Sequence, residues 1–214
     1  MGLVRREFVG LFGGVVASPA LVKPVLAQPT PPGAAPPATA DSAPARAATP
    51  APAKPVTAHD FGFDRPGGGR SELSAYAGRP ILIVNTATNC GFAGQLAMLE
   101  LLWQRYSRRG LMLLATPSND FGGQEPLEGQ AIADSARAAY GATYAFTEKV
   151  RVRGPNAHPF YRWAAMRRPG ETPSWNFHKY LIGRDGDLVG GFPTSADPIG
   201  PQLIQAIGKE LQTG

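Results

Sequence analysis

The chain has 214 residues, of which 43% are hydrophobic and 17% charged, a composition typical of a globular protein with room for one ordinary domain. Its net charge of +5 includes +2 from three basic residues and one acidic residue within the first 27 positions, and the other basic residues form no run, which argues against a nucleic-acid-binding protein. The single cysteine excludes a disulfide within the chain.

The first 27 residues have the three parts of a secretory signal. A charged start at Arg5 and Arg6 leads into a mildly apolar stretch over residues 8–22, followed by small side chains where a signal peptidase reads. The arginine pair and the residues after it resemble a twin-arginine signal. An uncleaved anchor helix is the alternative, but the stretch is short and rich in glycine for a membrane span. We expect residues 1–27 to direct export to the periplasm, with a membrane tether only if the signal is not cleaved.

A proline- and alanine-rich segment follows. Residues 28–55 contain nine prolines and ten alanines and almost no large apolar side chains. Such a segment cannot bury enough surface to offset the entropy of ordering, so we expect a disordered linker. Its reach in polyproline II form would be roughly 85 Å, at about 3.1 Å per residue. The folded domain is therefore predicted over residues 56–214.

The first half of this domain alternates predicted strands and helices. Residues 81–85 form a continuous apolar run, typical of a central strand buried on both faces. A helix with one apolar face is predicted next, closed by Gly110. A second buried strand over residues 111–116 and an alanine-rich helix over residues 125–140 follow. The apolar face of the first helix consists of Leu96, Leu99, Leu102, Trp103 and Tyr106.

The second half predicts a hairpin and a last helix. Residues 177–183 and 188–192 flank a tight-turn signature, Arg-Asp-Gly-Asp. Asp197 is the predicted N-cap and Pro198 the first residue of a helix that runs to about Leu211. This order of elements predicts the α/β class, as a thioredoxin-like three-layer sandwich with a central mixed β-sheet flanked by helices.

Cys90 lies where the strand over residues 81–85 has ended and a helix is about to begin. This carboxyl edge of an open α/β sheet is where ligands and reactive groups collect. A lone cysteine is more often a small buried hydrophobe, but the polar, glycine-bearing neighbours Asn89 and Gly91 favour a nucleophile. A helix N-terminus contributes only about 0.3–1 kcal/mol to an anion, whereas each side-chain donor to a thiolate contributes about 1.5–3 kcal/mol. The chemistry therefore requires donors from elsewhere in the chain.

Two later segments offer such donors. Gln124 belongs to a polar loop with paired glycines that follows the second buried strand, so it should reach the same edge as Cys90. Trp175 and Asn176 open the predicted hairpin. Amide and indole N–H groups donate without titrating. Taken alone, Gln124 is more typical of a solvated loop and Trp175 equally of a core anchor.

Four segments of the chain each resemble a signature of the glutathione peroxidases, in the order of that family. They are residues 85–92, 117–126, 154–159 and 175–177. The resemblance covers residues 59–212 and implies a thiol peroxidase with a catalytic tetrad of Cys90, Gln124, Trp175 and Asn176. In this tetrad Cys90 would be the nucleophile, and the other three would hold its thiolate and steady the leaving oxygen of the peroxide.

The implied reaction is attack of the Cys90 thiolate on hydrogen peroxide or an organic hydroperoxide, lipid hydroperoxides included. It gives a sulfenic acid and releases water or an alcohol. No cofactor is implied, and no metal is expected, because His59, His158 and His178 lack metal-ligand spacing with Cys90. We expect His158 to cap a helix or to pack.

Departures from the family bear on the reductant. Thioredoxin-dependent relatives often carry a resolving cysteine in the region of residues 130–140 and another beside position 118, but this chain has Ser118 and no thiol in that helix. An external thiol, glutathione or a thioredoxin-like protein, must therefore resolve the sulfenic acid. Asp120 and Ser174 replace usual family residues, which leaves the reductant preference open. The stretch before Trp175 lacks the loop that tetrameric relatives use to assemble, which predicts a monomer.

Two alternatives stay open at the level of sequence. A non-catalytic thioredoxin-fold module of the cell envelope would explain the missing resolving thiol, but a full set of tetrad residues argues against it. A peroxiredoxin-like or thiol-oxidase activity would use the same Cys90. A copper-delivery protein of this fold would need a CxxxC pair, which the chain does not have.

Overall fold

The computed structural model describes residues 54–212. The predicted signal over residues 1–27 lies outside this range, as do all but the last two residues of the predicted linker and the final two residues of the chain. After a short 3-10 turn (Ala58–Asp60), the chain forms a two-stranded antiparallel ribbon, β1 (Gly62–Asp64) and β2 (Arg70–Glu72). No described helix is both long enough and apolar enough to cross a membrane.

A five-stranded mixed sheet forms the centre of the domain. Its strands are β3 (Ile81–Thr86), β4 (Met112–Pro117), β5 (Ala145–Phe146), β6 (Lys179–Ile182) and β7 (Leu188–Phe192). Their order across the sheet is β5-β4-β3-β6-β7. The pairs β3–β4 and β4–β5 are parallel, whereas β3–β6 and β6–β7 are antiparallel. The central strands β3 and β4 therefore end at one edge, and the segment that enters β6 arrives at that same edge.

Helices cover both faces of the sheet. They are α1 (Gln95–Tyr106), α2 (Gln130–Tyr140), α3 (Pro159–Arg167) and α4 (Pro201–Gln212). One apolar cluster joins alternate residues of β3, such as Leu82, to the buried faces of α1, α2 and α4. The other joins the opposite side of β3, such as Ile83, to α3. The predicted three-layer α/β sandwich with a mixed sheet is confirmed.

Two predicted helix starts are wrong. The helix predicted over residues 125–140 begins at Gln130, because the carboxylate of Glu125 is buried and bonded to Thr88 rather than to a helix end. The helix predicted from Asp197 begins at Pro201, since Asp197 closes a separate turn by accepting a hydrogen bond from Ile199 N at 2.9 Å. Each segment carries an acidic residue followed by proline, a pattern that both a cap and a turn can use.

Predicted helix ends and strand positions agree with the structure more closely. Gly110 takes a φ of +110° at the end of the short 3-10 turn that follows α1, and Gly141 takes a φ of +71° at the end of α2. The hairpin of β6 and β7 lies within the predicted residues. The sequence did not predict the short strands β1, β2 and β5, since two- and three-residue strands carry no usable periodicity. Helix α3 was not predicted either.

Candidate active site

The Cys90 loop connects β3 to α1. Cys90 is four residues past the end of β3 and five before the start of α1, and its carbonyl oxygen accepts a hydrogen bond from Ala93 N at 2.8 Å. Its side chain is 8% exposed and packs into the apolar cluster on the α1 side of the sheet. The main-chain N–H of Phe92 donates a hydrogen bond to Cys90 Sγ at 3.5 Å. The first donor to the sulfur is therefore a main-chain group of the turn before the helix.

The loop that contains Gln124, residues 118–129 and here called the donor loop, follows β4 and folds back toward Cys90. Gly122 and Gly123 have φ values of +67° and +65°, which residues with side chains rarely adopt, and they allow a sharp reversal of the chain. The loop is held on its far side by Asp120, whose Oδ2 accepts from Val152 N at 2.6 Å. Asn89 N donates to the Gln124 carbonyl oxygen at 3.0 Å. One main-chain hydrogen bond thus joins Gln124 to the residue before Cys90.

The segment entering β6 is held against the end of β3. Phe177 N donates to the Asn85 carbonyl oxygen at 2.6 Å, and Asn85 Nδ2 donates to the Trp175 carbonyl oxygen at 3.2 Å. Phe177 has a φ of +63°, a strained value for a residue with a side chain. These contacts fix the backbone on both sides of Asn176.

Asn176 and Gln124 are in direct contact. Asn176 is fully buried, and its Nδ2 donates to Gln124 Oε1 at 2.9 Å. This bond fixes the orientation of the Gln124 amide, because its oxygen is occupied and its two N–H groups are left to donate. Within residues 54–212, no acceptor takes a hydrogen bond from Gln124 Nε2.

Trp175 lies at the surface beside the same loop. Its indole is 38% exposed and packs against Phe121, with ring centroids 5.7 Å apart at 46°. The Arg153 guanidinium stands over the Phe121 ring at 4.9 Å. A cavity of about 440 Å³ is lined by Phe92 of the Cys90 loop together with Trp175 and residues 193–195. Trp175 and the Cys90 loop therefore face a shared space.

The four predicted site residues thus lie on three adjacent segments at one sheet edge. The structure brings Gln124 and Asn176 into hydrogen-bond contact, and Gln124 into main-chain contact with the Cys90 loop. None of the three side-chain donors bonds to the Cys90 sulfur in this structure, where Phe92 N is the described donor. The arrangement leaves N–H groups of Gln124 and Trp175 available to a bound molecule.

Glu125 is a site residue that the sequence reasoning missed. Its fully buried carboxylate accepts from Thr88 N and from Thr88 Oγ1, each at 2.8 Å. Its own N–H donates to Asn119 Oδ1 at 2.9 Å, which closes the loop on itself. Glu125 follows Gln124, and Thr88 precedes Cys90 by two positions, so this contact ties the Cys90 loop to the loop that contains Gln124. The Pro126 beside it was the available signal, because proline favours a loop or a helix start over a helix interior.

The histidines have structural surroundings. His158 is the N-cap of α3, accepting from Phe160 N at 3.3 Å, and it stacks on Phe63 at 4.2 Å between ring centroids, so the expectation that it caps or packs is confirmed. Burial and then the Arg70 charge lower the pKa of His158 to about 4. Burial, followed by the Lys179 charge, lowers the pKa of His178 to about 4 as well. Residues 54–212 contain no group of three His, Cys, Asp or Glu side chains arranged to hold a metal ion.

Comparisons with known proteins agree on one family. A sequence model described as glutathione peroxidase matches residues 59–165. The glutathione peroxidase homolog BsaA of Staphylococcus aureus is 36% identical over 158 residues, 72% of this chain and 99% of the relative. The hydroperoxy fatty acid reductase gpx1 of Synechocystis is 36% identical over 151 residues, 66% of this chain and 89% of the relative. A thioredoxin-family thiol:disulfide interchange protein of Chlorobium tepidum superposes with a TM-score of 0.52 at 15% identity, covering 75% of this chain and 99% of that one, which places the fold among thioredoxin-like structures.

Proposed function

The chain belongs to the glutathione peroxidase family and is a thiol-dependent peroxidase, and from this premise we propose that Cys90 is its peroxidatic nucleophile. The observation that carries the proposal is that the chain has one cysteine, and that its loop is joined to Gln124 by a main-chain hydrogen bond. Cys90 is the only thiol in the chain, so a thiol-dependent reaction of this protein must use it. Family membership also decides against the non-catalytic binding module.

The first step transfers one peroxide oxygen to sulfur. The Cys90 thiolate attacks the hydroxyl oxygen of ROOH, the S–O bond forms as the O–O bond breaks, and the departing RO⁻ takes a proton to leave as water or an alcohol. Sulfur is oxidised to the sulfenic acid and the peroxide is reduced. We assign stabilisation of the departing oxygen to Gln124 Nε2 and Trp175 Nε1, since preorganised donors act where charge develops. Asn176 holds the Gln124 amide in that orientation.

The second half of the cycle needs thiols from outside the chain. A first thiol attacks the sulfenic sulfur, releasing water and leaving a mixed disulfide at Cys90. A second thiol then attacks the external sulfur of that mixed disulfide, which frees the Cys90 thiolate and joins the two external thiols in a disulfide. We assign this role to glutathione or to a thioredoxin-like protein. Organic hydroperoxides, those of fatty acids included, are proposed substrates because the cavity beside Phe92 and Trp175 is large and bounded by apolar rings and because one relative is named for reducing hydroperoxy fatty acids.

The biological setting is also a proposal. The charged and apolar pattern of residues 1–27 supports export to the periplasm by the twin-arginine route, and the composition of residues 28–55 supports a linker before the peroxidase domain. The absence of an assembly loop before Trp175 supports a monomer. Replacing Arg5 and Arg6 by lysine tests the route, and retention of the protein in the cytoplasm is the expected result.

One experiment tests the assignment of Cys90. Purified protein without reductant should consume about one equivalent of peroxide and then stop, with the sulfenic acid trapped on Cys90 by a dimedone-type probe. Glutathione or a thioredoxin system should restore turnover, and the faster of the two identifies the reductant class. Cys90→Ser should keep the fold and lose both the stoichiometric and the catalytic reaction. Wild-type turnover by Cys90→Ser would refute the assignment.

A further inference from the structure

A buried lysine lies beside the active site without an assigned role. Lys179, the first residue of β6, has no exposed surface. Its Nζ donates to Gln95 Oε1 and to the Ala196 carbonyl oxygen, each at 2.6 Å. Longer contacts of 3.5 Å reach the carbonyl oxygens of Pro193 and Thr194. Burying a lysine is costly unless its donors are satisfied, and here they are satisfied mainly by one segment, residues 193–196.

The same segment has two further ties, both to active-site elements. Gln95 Nε2 donates to the Thr194 carbonyl oxygen at 2.8 Å, and Thr194 Oγ1 donates to the Asn176 carbonyl oxygen at 2.7 Å. Gln95 begins the helix that follows Cys90. The network therefore connects the segment to the helix of the nucleophile and to the backbone of Asn176.

This segment forms a wall common to two cavities that Phe92 also lines. One cavity, of about 330 Å³, extends along the start of α1, and the other, of about 440 Å³, extends toward Trp175. Phe92, Thr194 and Ser195 line both. A water molecule takes up about 30 Å³ in the liquid, so either cavity is far larger than hydrogen peroxide requires. Both are large enough for the organic part of a bulky hydroperoxide.

We propose that Lys179 is a positioning residue that sets the selectivity between bulky organic hydroperoxides and hydrogen peroxide. It does so by holding residues 193–196, together with the adjoining Asp197 and Pro198, as the cavity wall. This inference rests on the proposed function, since it presumes that peroxides react at Cys90. A bulky peroxide uses the wall to orient its organic part, whereas hydrogen peroxide needs only the reacting atoms and their donors. Displacing the wall therefore affects the first substrate and spares the second.

The charge state of Lys179 gives a second readout. Burial lowers the pKa of Lys179 to about 8, and the Asp197 carboxylate of the wall opposes this shift. The described groups near it are Asp197 on the wall, neutral Gln95 on α1 and His178, the residue before β6, while its register partners Val84 and Phe192 are apolar. As pH rises through about 8, the Lys179 ammonium loses a proton and with it one hydrogen-bond donor. The neutral amine can then bond to fewer carbonyl oxygens of the wall.

The decisive variant is Lys179→Met, which keeps the length and apolar body of the side chain and removes the charge and donors. We expect KM for cumene hydroperoxide to rise about tenfold, while kcat/KM for hydrogen peroxide changes by less than about threefold. In the wild type, kcat/KM for cumene hydroperoxide divided by kcat/KM for hydrogen peroxide should fall as pH rises through about 8. This ratio cancels effects of pH that are common to both substrates. Lys179→Met should lack this transition, and Lys179→Arg should restore part of the selectivity.

Two controls complete the test. Lys54→Met removes an exposed lysine and should match the wild type. Thr194→Val cuts the tie to Asn176 without leaving a buried charge, so it tests the wall even where Lys179→Met does not fold, and it should shift selectivity in the same direction. Equal losses for both peroxides, or an unchanged ratio in Lys179→Met and Thr194→Val, overturn the inference. If Cys90→Ser is inactive while that ratio is unchanged, the proposed function stands and this inference fails.

Discussion

The contact between Thr88 and the Glu125 carboxylate ties the Cys90 loop to the donor loop. The substitution Thr88→Val weakens this contact by removing one hydroxyl group. Thr88 Oγ1 donates to Glu125 Oε1 at 2.8 Å, and the second bond, from Thr88 N to Oε2, does not involve the side chain. Valine keeps the branched shape and removes only the hydroxyl. A hydrogen bond to a charged group contributes about 1.5–3 kcal/mol. Because the main-chain bond persists, we expect a loss of about 1.5–2 kcal/mol, which lowers Tm by about 3–8 °C in a domain of this size.

The fold offers a matched control for this change. Thr143 Oγ1 donates to Glu100 Oε1 at 2.7 Å and Thr143 N donates to Oε2 at 2.6 Å, the same pair of bonds to another buried carboxylate. This contact ties the segment after α2 to α1 and does not involve the Cys90 loop. Thr143→Val should therefore lose similar stability and leave the kinetics unchanged.

The assay compares Tm with the rate constant for oxidation of the Cys90 thiol, followed by stopped flow under excess peroxide. We expect Thr88→Val to slow this step about tenfold, equal to about 1.4 kcal/mol, while Thr143→Val retains the wild-type rate. Combining Thr88→Val with Glu125→Gln should give a coupling energy of about 1 kcal/mol or more, because the two residues share the contact. Equal rates in the two threonine variants, or a Thr88→Val protein as stable as the wild type, would refute the positioning argument.

Two further predictions concern the donors and the histidine cap. Trp175→Phe keeps the ring against Phe121 and removes the indole N–H, so kcat/KM should fall about tenfold to a hundredfold with little change in Tm; a wild-type rate would remove Trp175 from the donor set. The lowered pKa of His158, about 4 against 6.5, means that the unfolded chain binds more protons between these values, so stability that is present above pH 6.5 is lost as pH falls through about 4. His158→Asn keeps a capping side chain without titrating, so its Tm should fall less between pH 7 and pH 4.5, and an equal fall in both proteins would contradict this cause.

The sequence predicted the parts of the fold in which pattern and burial coincide. The strands containing residues 81–85 and 111–116 are buried on both faces, and such strands read as unbroken apolar runs. The start of α2 was missed because the segment after Gln124 satisfies its backbone and carboxylate through long-range contacts to Thr88 and Lys149. A local pattern contains no information about a partner 37 positions away, as Thr88 is from Glu125.

The sequence predicted that the four site residues would meet at one sheet edge, but not how they contact one another. The polar segments containing Gln124 and Asn176 follow or precede buried strands, which was enough to place them at the edge with Cys90. Their mutual hydrogen bond was not predictable, because it depends on the positive φ of Phe177 and on the glycine reversal before Gln124. Lys179 gave no signal either, since its acceptors are one distant side chain, Gln95, and main-chain oxygens of a loop, and carbonyl groups are present in every sequence.

A single thiol imposes an order on the use of this site. Cys90 is only 8% exposed, whereas Phe92 and Trp175, which line the cavity beside the Cys90 loop, are 46% and 38% exposed. We expect a peroxide to approach the sulfur through that cavity. The alcohol formed from an organic hydroperoxide must leave that space before a reductant can attack the sulfenic sulfur, because attack on sulfur requires access to the same atom. In a chain with an internal resolving cysteine, the second thiol could approach from within the fold and leave the cavity to the peroxide. Here we expect the two substrates to use one entrance in turn, so each should inhibit competitively at high concentration. We also expect a wall that favours a bulky peroxide to limit which thiols can enter.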